Sequence, residues 1–161
     1  MALEDTAELL EVLHDGTVAL MNEGAPLDAI LESVRAPSRL LEKPWLRPVY
    51  DEPEFIVRNT WRLYGGFWDG NPAHLKPARD AQLASEVAAL AGGSMRLAER
   101  ADELSKAGDH ALACHLAELA SRAEPKDEVI AGIRRNVYDR REKAETSLMA
   151  KGIYRAAKER A

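Results

Sequence analysis

The chain has 161 residues, 46% of them hydrophobic and 30% charged, with a net charge of −5. A length near this encloses one domain-sized core. No run is basic enough to follow a phosphate backbone, and none has the roughly 20 apolar residues that cross a bilayer, which argues against nucleic-acid and membrane partners.

The charge is unevenly placed, with 13 acids against 6 Lys/Arg in residues 1–70 and 14 against 16 in the remainder. Cys114 is the single cysteine, so no internal disulfide forms. The opening "MALEDTAELL" is acidic and amphipathic, unlike a secretory leader. Together these features lead to the expectation of a soluble, cytoplasmic protein.

Leu9, Leu10, Leu13, Leu20 and Met21 recur at mainly helical spacing over residues 4–23, and Gly24 stands where a C-terminal glycine belongs. A shorter helix is expected from Pro26 or Leu27 to Val34, with a further turn after Pro37, capped by Ser38. Residues 43–53, "KPWLRPVYDEP", contain three prolines and read as a rigid extended connector. Helix resumes at Glu54, after Pro53, and is expected to continue to Trp68, placing Val57, Trp61, Tyr64 and Trp68 along one side. Gly65 and Gly66 each cost about 1 kcal/mol relative to alanine inside a helix, so their presence implies a surface in close approach.

"DGNP" at 69–72 reads as a turn. After it come helices at 81–91, 95–107 and 110–123, with Asp80, Ser94 and Asp109 as caps, and a stretch at 127–160 that forms one long helix or two, with Gly152 as the break. The piece from Ser94 to Pro125 carries Ala98, Ala101, Ala111, Ala113, Ala117 and Ala120 for close packing and resembles a tetratricopeptide-type hairpin. Strand-like alternation is lacking. The fold class expected is all-α: a helical bundle with a tetratricopeptide-like hairpin array in the C-terminal half. Residues 1–161 are expected to form a single domain, with N-terminal helices at 1–42, connector, aromatic helix and loop at 43–79, and hairpins and last helix at 80–161.

The residues that carry chemistry are sparse. His14, His74, His110 and His115 show no metal-ligand spacing, and His110 and His115 would diverge by about 140° on a helix. Cys114 sits among alanines, where a thiol behaves as a small hydrophobe, and no nucleophile elbow or phosphate-binding loop is present. The basic run "RRNVYDRREK" at 134–143 is interleaved with acids and reads as a solvated helix face. What stands out is that seven of the nine aromatics lie between Trp45 and Trp68, just ahead of the turn. Such rings fill a core or cover a partner.

At "LYGGFWDGNPAHLKP", followed by "LAGGSMRLAERADELSKAGDHALACHLAELASRAEP", the chain resembles the alkyl sulfatase dimerisation domain, the helical module of metallo-β-lactamase-fold alkyl sulfatases. "VLHDGTVALMNEG" and "ETSLMAKGIYRAAKER" resemble the family's opening and closing helices, so the likeness runs nearly end to end. Two departures stand: "AEP" replaces the family's ADP-like end, and "PEFIVRN" has Phe55 or a neighbour where the sulfatases carry a histidine.

The resemblance implies a homodimer whose arms wrap a second subunit. It also implies that the segment ending in DGNP lies against a metallo-β-lactamase-fold catalytic domain, joined in cis or supplied in trans. The family's two zinc ions are held mainly by an HxHxDH motif, with further ligands, in that other domain; this sequence does not contain the motif, so the resemblance implies no cofactor here and no catalysis by this chain alone. Trp61, Tyr64, Phe67, Trp68, Asp69 and Asn71 are the expected interface or pocket-lining residues. Two alternatives remain: a module binding an apolar alkyl chain, or a helper subunit of a separately encoded zinc hydrolase.

Overall fold

The computed structural model describes residues 1–159 and is helical throughout, with no strand among the described residues. The chain divides into two compact units, Met1–Pro77 and a second beginning at Ala78. No described helix is long and apolar enough to cross a membrane.

In the first unit α1 (Ala2–Asn22) packs on α4 (Pro53–Gly65), with α2 (Leu27–Ser33) and the single turn α3 (Ser38–Leu41) closing the cluster. Leu9 and Leu13 of α1 meet Ile30, Val34, Leu40, Val57 and Trp61 in one core. The 3.6-residue repeat accounts for it: Asp5, Leu9, Leu13 and Thr17 fall on one stripe of α1 and all are buried. Thr17 tolerates full burial because its hydroxyl donates to the Leu13 carbonyl at 2.6 Å. Gly24, at φ 79°, ends α1 as expected, letting Ala25 N–H reach back to the Leu20 carbonyl at 3.0 Å.

The proline connector is anchored from α1. Lys43 Nζ lies 2.5 Å from Asp5 Oδ1, and Trp45 Nε1 donates to Asp5 Oδ2 at 3.2 Å. The Lys43 ammonium holds the Asp5 carboxyl below the usual carboxylate range, against the opposing effect of burial. Pro53 occupies the first turn of α4, where a missing N–H costs nothing.

The second unit is built of α5 (Asp80–Ala91), α6 (Ser94–Ala107), α7 (His110–Ala123), α8 (Glu128–Ala144) and α9 (Leu148–Glu159). Alanines line its core: Ala88, Ala98, Ala101, Ala113, Ala117 and Ala120 are all buried, and their single-methyl side chains let α5, α6, α7 and α8 pack closely. Ala111 faces solvent instead. Asp109 caps α7 by accepting from Leu112 N–H at 3.3 Å, and Asp127 caps α8 through Val129 and Ile130 N–H at 2.8 and 3.0 Å. Asp80 and Ser94 are first helical residues rather than caps, which are Arg79 and Gly93.

Three further expectations are corrected. The aromatic helix stops at Gly65, with Gly66 at φ 71°, so Phe67 and Trp68 lie beyond it. The break in the last segment falls at residues 145–147, where the buried Ser147 hydroxyl accepts from Ala150 N–H at 3.1 Å, and Gly152 lies inside α9. Arg160, the expected end of that helix, lies outside the described residues.

The third correction concerns the basic run of α8, which is solvated only in part. Arg134 binds Glu118 of α7 at 2.7 Å and the Ala157 carbonyl of α9 at 2.7 Å, while Arg140 binds Asp102 of α6 at 2.9 Å. Arg134 and Arg140 thus bridge helices, while Arg135 and Lys143 of the same run remain exposed to water.

Candidate contact surface around the aromatic turn

Trp61 belongs to the core, 8% exposed, yet its indole does more than fill space. Its Nε1 donates to the Trp68 carbonyl at 2.7 Å, turning the chain back over the end of α4. Gly65 makes room for this turn: a β-carbon there would stand 3.2 Å from Met21 Cε and 3.4 Å from the Trp61 ring. The close approach expected at the glycine pair is thus real at Gly65. Gly66 has open space around it and serves through its positive φ.

The loop that follows is a knot of short-range hydrogen bonds. Asp69 accepts from Asn71 N–H at 2.9 Å through Oδ1, while its Oδ2 meets His74 Nδ1 at 2.5 Å. Asn71 in turn caps the single 3₁₀ turn Pro72–His74, its Oδ1 accepting from Ala73 N–H at 3.1 Å. The Asp69 carbonyl accepts Leu27 N–H at 3.1 Å, pinning the loop to the start of α2. Gly70, at φ 93°, lies so close to Pro26 that a β-carbon would sit 3.0 Å from the proline Cβ. The His74 ring, then the Asn71 N–H, holds the Asp69 carboxyl below the usual carboxylate range.

The structure therefore gathers Trp61, Trp68, Asp69 and Asn71 into one element and leaves two expected site residues apart from it. Tyr64 is 60% exposed and its hydroxyl lies 3.0 Å from His14 Nε2, with the rings edge-on. Phe67 is 84% exposed, and Leu63 beside them 74%. His14, Pro26 and His74 were not among the expected site residues. Each acts through a contact far from its sequence neighbours or through a loop geometry that spacing rules do not express.

Two concavities flank this surface. One, of about 350 Å³, is lined by Met21, Pro26, Trp61, Gly65, Trp68 and Gly70. The other, of about 450 Å³, runs between α1 and α4 over Leu10, His14, Ile56 and Thr60. Apolar side chains dominate the first, which suits contact with an apolar group, whereas Glu11 and Asp15 join His14 and Thr60 around the second.

No three His, Cys, Asp or Glu side chains among the described residues are gathered as a metal would require, so the donor set does not fit the zinc ions that the resemblance implies for the family. Burial pushes the Cys114 thiol up to about 11, leaving it protonated and unreactive at neutral pH.

Fold and surface together define an all-α module with an apolar aromatic edge and a rigid polar turn. Its particular family follows from comparison: the description "Alkyl sulfatase dimerisation" matches residues 27–161, and the chain belongs to that family. The match runs across both units.

A linear primary-alkylsulfatase of Pseudomonas sp. is 30% identical over 86% of this chain and 26% of its own length. The alkyl/aryl-sulfatase BDS1 of Saccharomyces cerevisiae is 29% identical over 62% of this chain and 15% of its own. The stereoselective inverting sec-alkylsulfatase Pisa1 from Pseudomonas sp. shares the fold with a TM-score of 0.88, at 24% identity, over 98% of this chain and 25% of that one. The chain thus spans about a quarter or less of the length of the curated relatives it matches.

Proposed function

We propose that this chain acts by self-association, as the dimerisation module of an alkyl sulfatase-like metallo-hydrolase, and carries no catalysis itself. The observation that carries the reading is the group Leu63, Tyr64 and Phe67, large apolar side chains at and just beyond the end of α4 that one copy leaves 74%, 60% and 84% exposed. Covering one such side chain is worth about 2 kcal/mol, and stable obligate interfaces remove roughly 2,000 Å² or more in total. Family membership supports the same conclusion.

In this reading Trp61, Trp68, Asp69 and Asn71 hold the turn in shape while Tyr64 and Phe67 make the contact. A metallo-β-lactamase-fold domain, in cis or in trans, supplies the zinc and the hydrolysis. Sedimentation at micromolar concentration should show a homodimer; a compact, stable monomer there would overturn the reading. Metal analysis and a sulfatase assay of the chain alone should both be blank.

The cavity beside Trp61 and Trp68 favours one alternative, binding of an alkyl chain. A fluorescent fatty-acid probe separates the two. Binding that is lost in Trp68→Ala while the dimer persists would establish the alternative, and no binding would remove it.

A further inference from the structure

Two histidines of the first unit stand in nearly the same frame and differ at one atom. His14 Nδ1 lies 2.8 Å from Asp15 Oδ1, and His74 Nδ1 lies 2.5 Å from Asp69 Oδ2. An ionised carboxylate only accepts, so each ring carries its proton on Nδ1 and, when neutral, offers Nε2 as an acceptor. At His14 that nitrogen faces the Tyr64 hydroxyl at 3.0 Å. A hydroxyl can donate or accept, so this contact survives a second proton on the ring.

At His74 the facing group is Asn71 Nδ2 at 3.3 Å, which can only donate. The amide cannot turn to present its oxygen instead, because Oδ1 is already held by Ala73 N–H at 3.1 Å as the cap of the following turn.

We propose that His74 is a proton-operated latch on the loop 69–74. The neutral ring holds the Asn71 carboxamide. A proton on Nε2 sets donor against donor and releases that amide, while the ion pair to Asp69 tightens. The change stays local, since the Asp69 carbonyl remains bound to Leu27 N–H and Gly70 remains against Pro26.

Among the charged groups nearby, Asp69 alone is within hydrogen-bond reach of the ring. Asp28 follows Leu27 in the first turn of α2, and Lys76 follows Leu75 just beyond the 3₁₀ turn. The ring is 59% exposed, so protons reach it without any opening of the fold. This inference goes beyond self-association and holds or fails separately from it.

Nuclear magnetic resonance of the ring nitrogens and of the asparagine side-chain amides tests the latch, from about pH 8 to about pH 5, where imidazoles change charge. At the upper end His74 should be the Nδ1–H tautomer. On acidification the Asn71 amide signals should move in step with the His74 ring and not with His14. His74→Ala should abolish that movement, and His14→Ala should leave it intact. An Nε2–H tautomer at the upper end, or Asn71 signals that stay still as His74 takes up its proton, would overturn the proposal. If His74→Ala fails to fold, the tautomer and amide signals of the unaltered protein decide the matter alone.

Discussion

At the residue scale, individual atoms set the course of the turn. Gly70 combines a positive φ with a β-carbon position only 3.0 Å from Pro26, so Gly70→Ala faces both backbone strain and a clash. The backbone term alone is roughly 1–2 kcal/mol. Chemical denaturation should show the first unit losing at least that much stability. Trp61→Phe keeps most of the buried ring but forfeits the indole bond to the Trp68 carbonyl, a loss of about 1 kcal/mol. Asp5, held by Lys43, has a carboxyl depressed in the folded state. Its contribution is therefore present above the usual carboxylate range and lost as pH falls through the depressed value. The melting temperature of the first unit should drop on acidification below about pH 4, and Asp5→Asn should flatten that slope.

At the element scale α9 is held differently from its neighbours. Ala150 is its one buried residue, and ion pairs and a ring stack add to its hold on α8. Lys158 lies 3.0 Å from both Asp139 and Glu142, Arg155 lies 2.7 Å from Glu142, and Tyr154 stacks on Tyr138 at 6.0 Å between centroids. Lys158 and then Arg155 depress the Glu142 carboxyl, and Lys143 and then Lys158 depress Asp139. Acid below the usual carboxylate range should therefore loosen α9, and salt should do so at neutral pH through screening. Hydrogen exchange should show α9 amides losing protection in high salt and in Glu142→Gln, while α6 and α7, packed through buried alanines, stay protected.

At the scale of the whole molecule, self-association links assembly to stability. If a second copy covers Phe67 and Tyr64, the melting temperature rises with protein concentration. Phe67→Asp should remove that dependence and leave the monomer's helicity intact, because an 84% exposed ring contributes little to the monomer core. A melting temperature that is independent of concentration in the unaltered protein would argue for a self-sufficient single copy.

Much was legible in the sequence because it depends on neighbours three or four residues apart. Helix positions, the α1 stripe, the alanine core of α6 and α7, the Gly24 terminus and the Asp109 cap follow from local periodicity and capping chemistry. The turn at 69–72 was likewise visible as turn chemistry. The signature within it pointed to the family without any coordinates.

Tertiary structure alone decided where the aromatic helix ends, because the Trp61 indole captures a carbonyl seven residues on and Gly65 yields space to Met21 of α1. It alone gave Arg134 and Arg140 of α8 their partners on three other helices, and turned two Asp–His pairs into different devices. Local sequence constrains backbone angles. Hydrogen-bond partners brought together from distant positions are known only once the chain has folded.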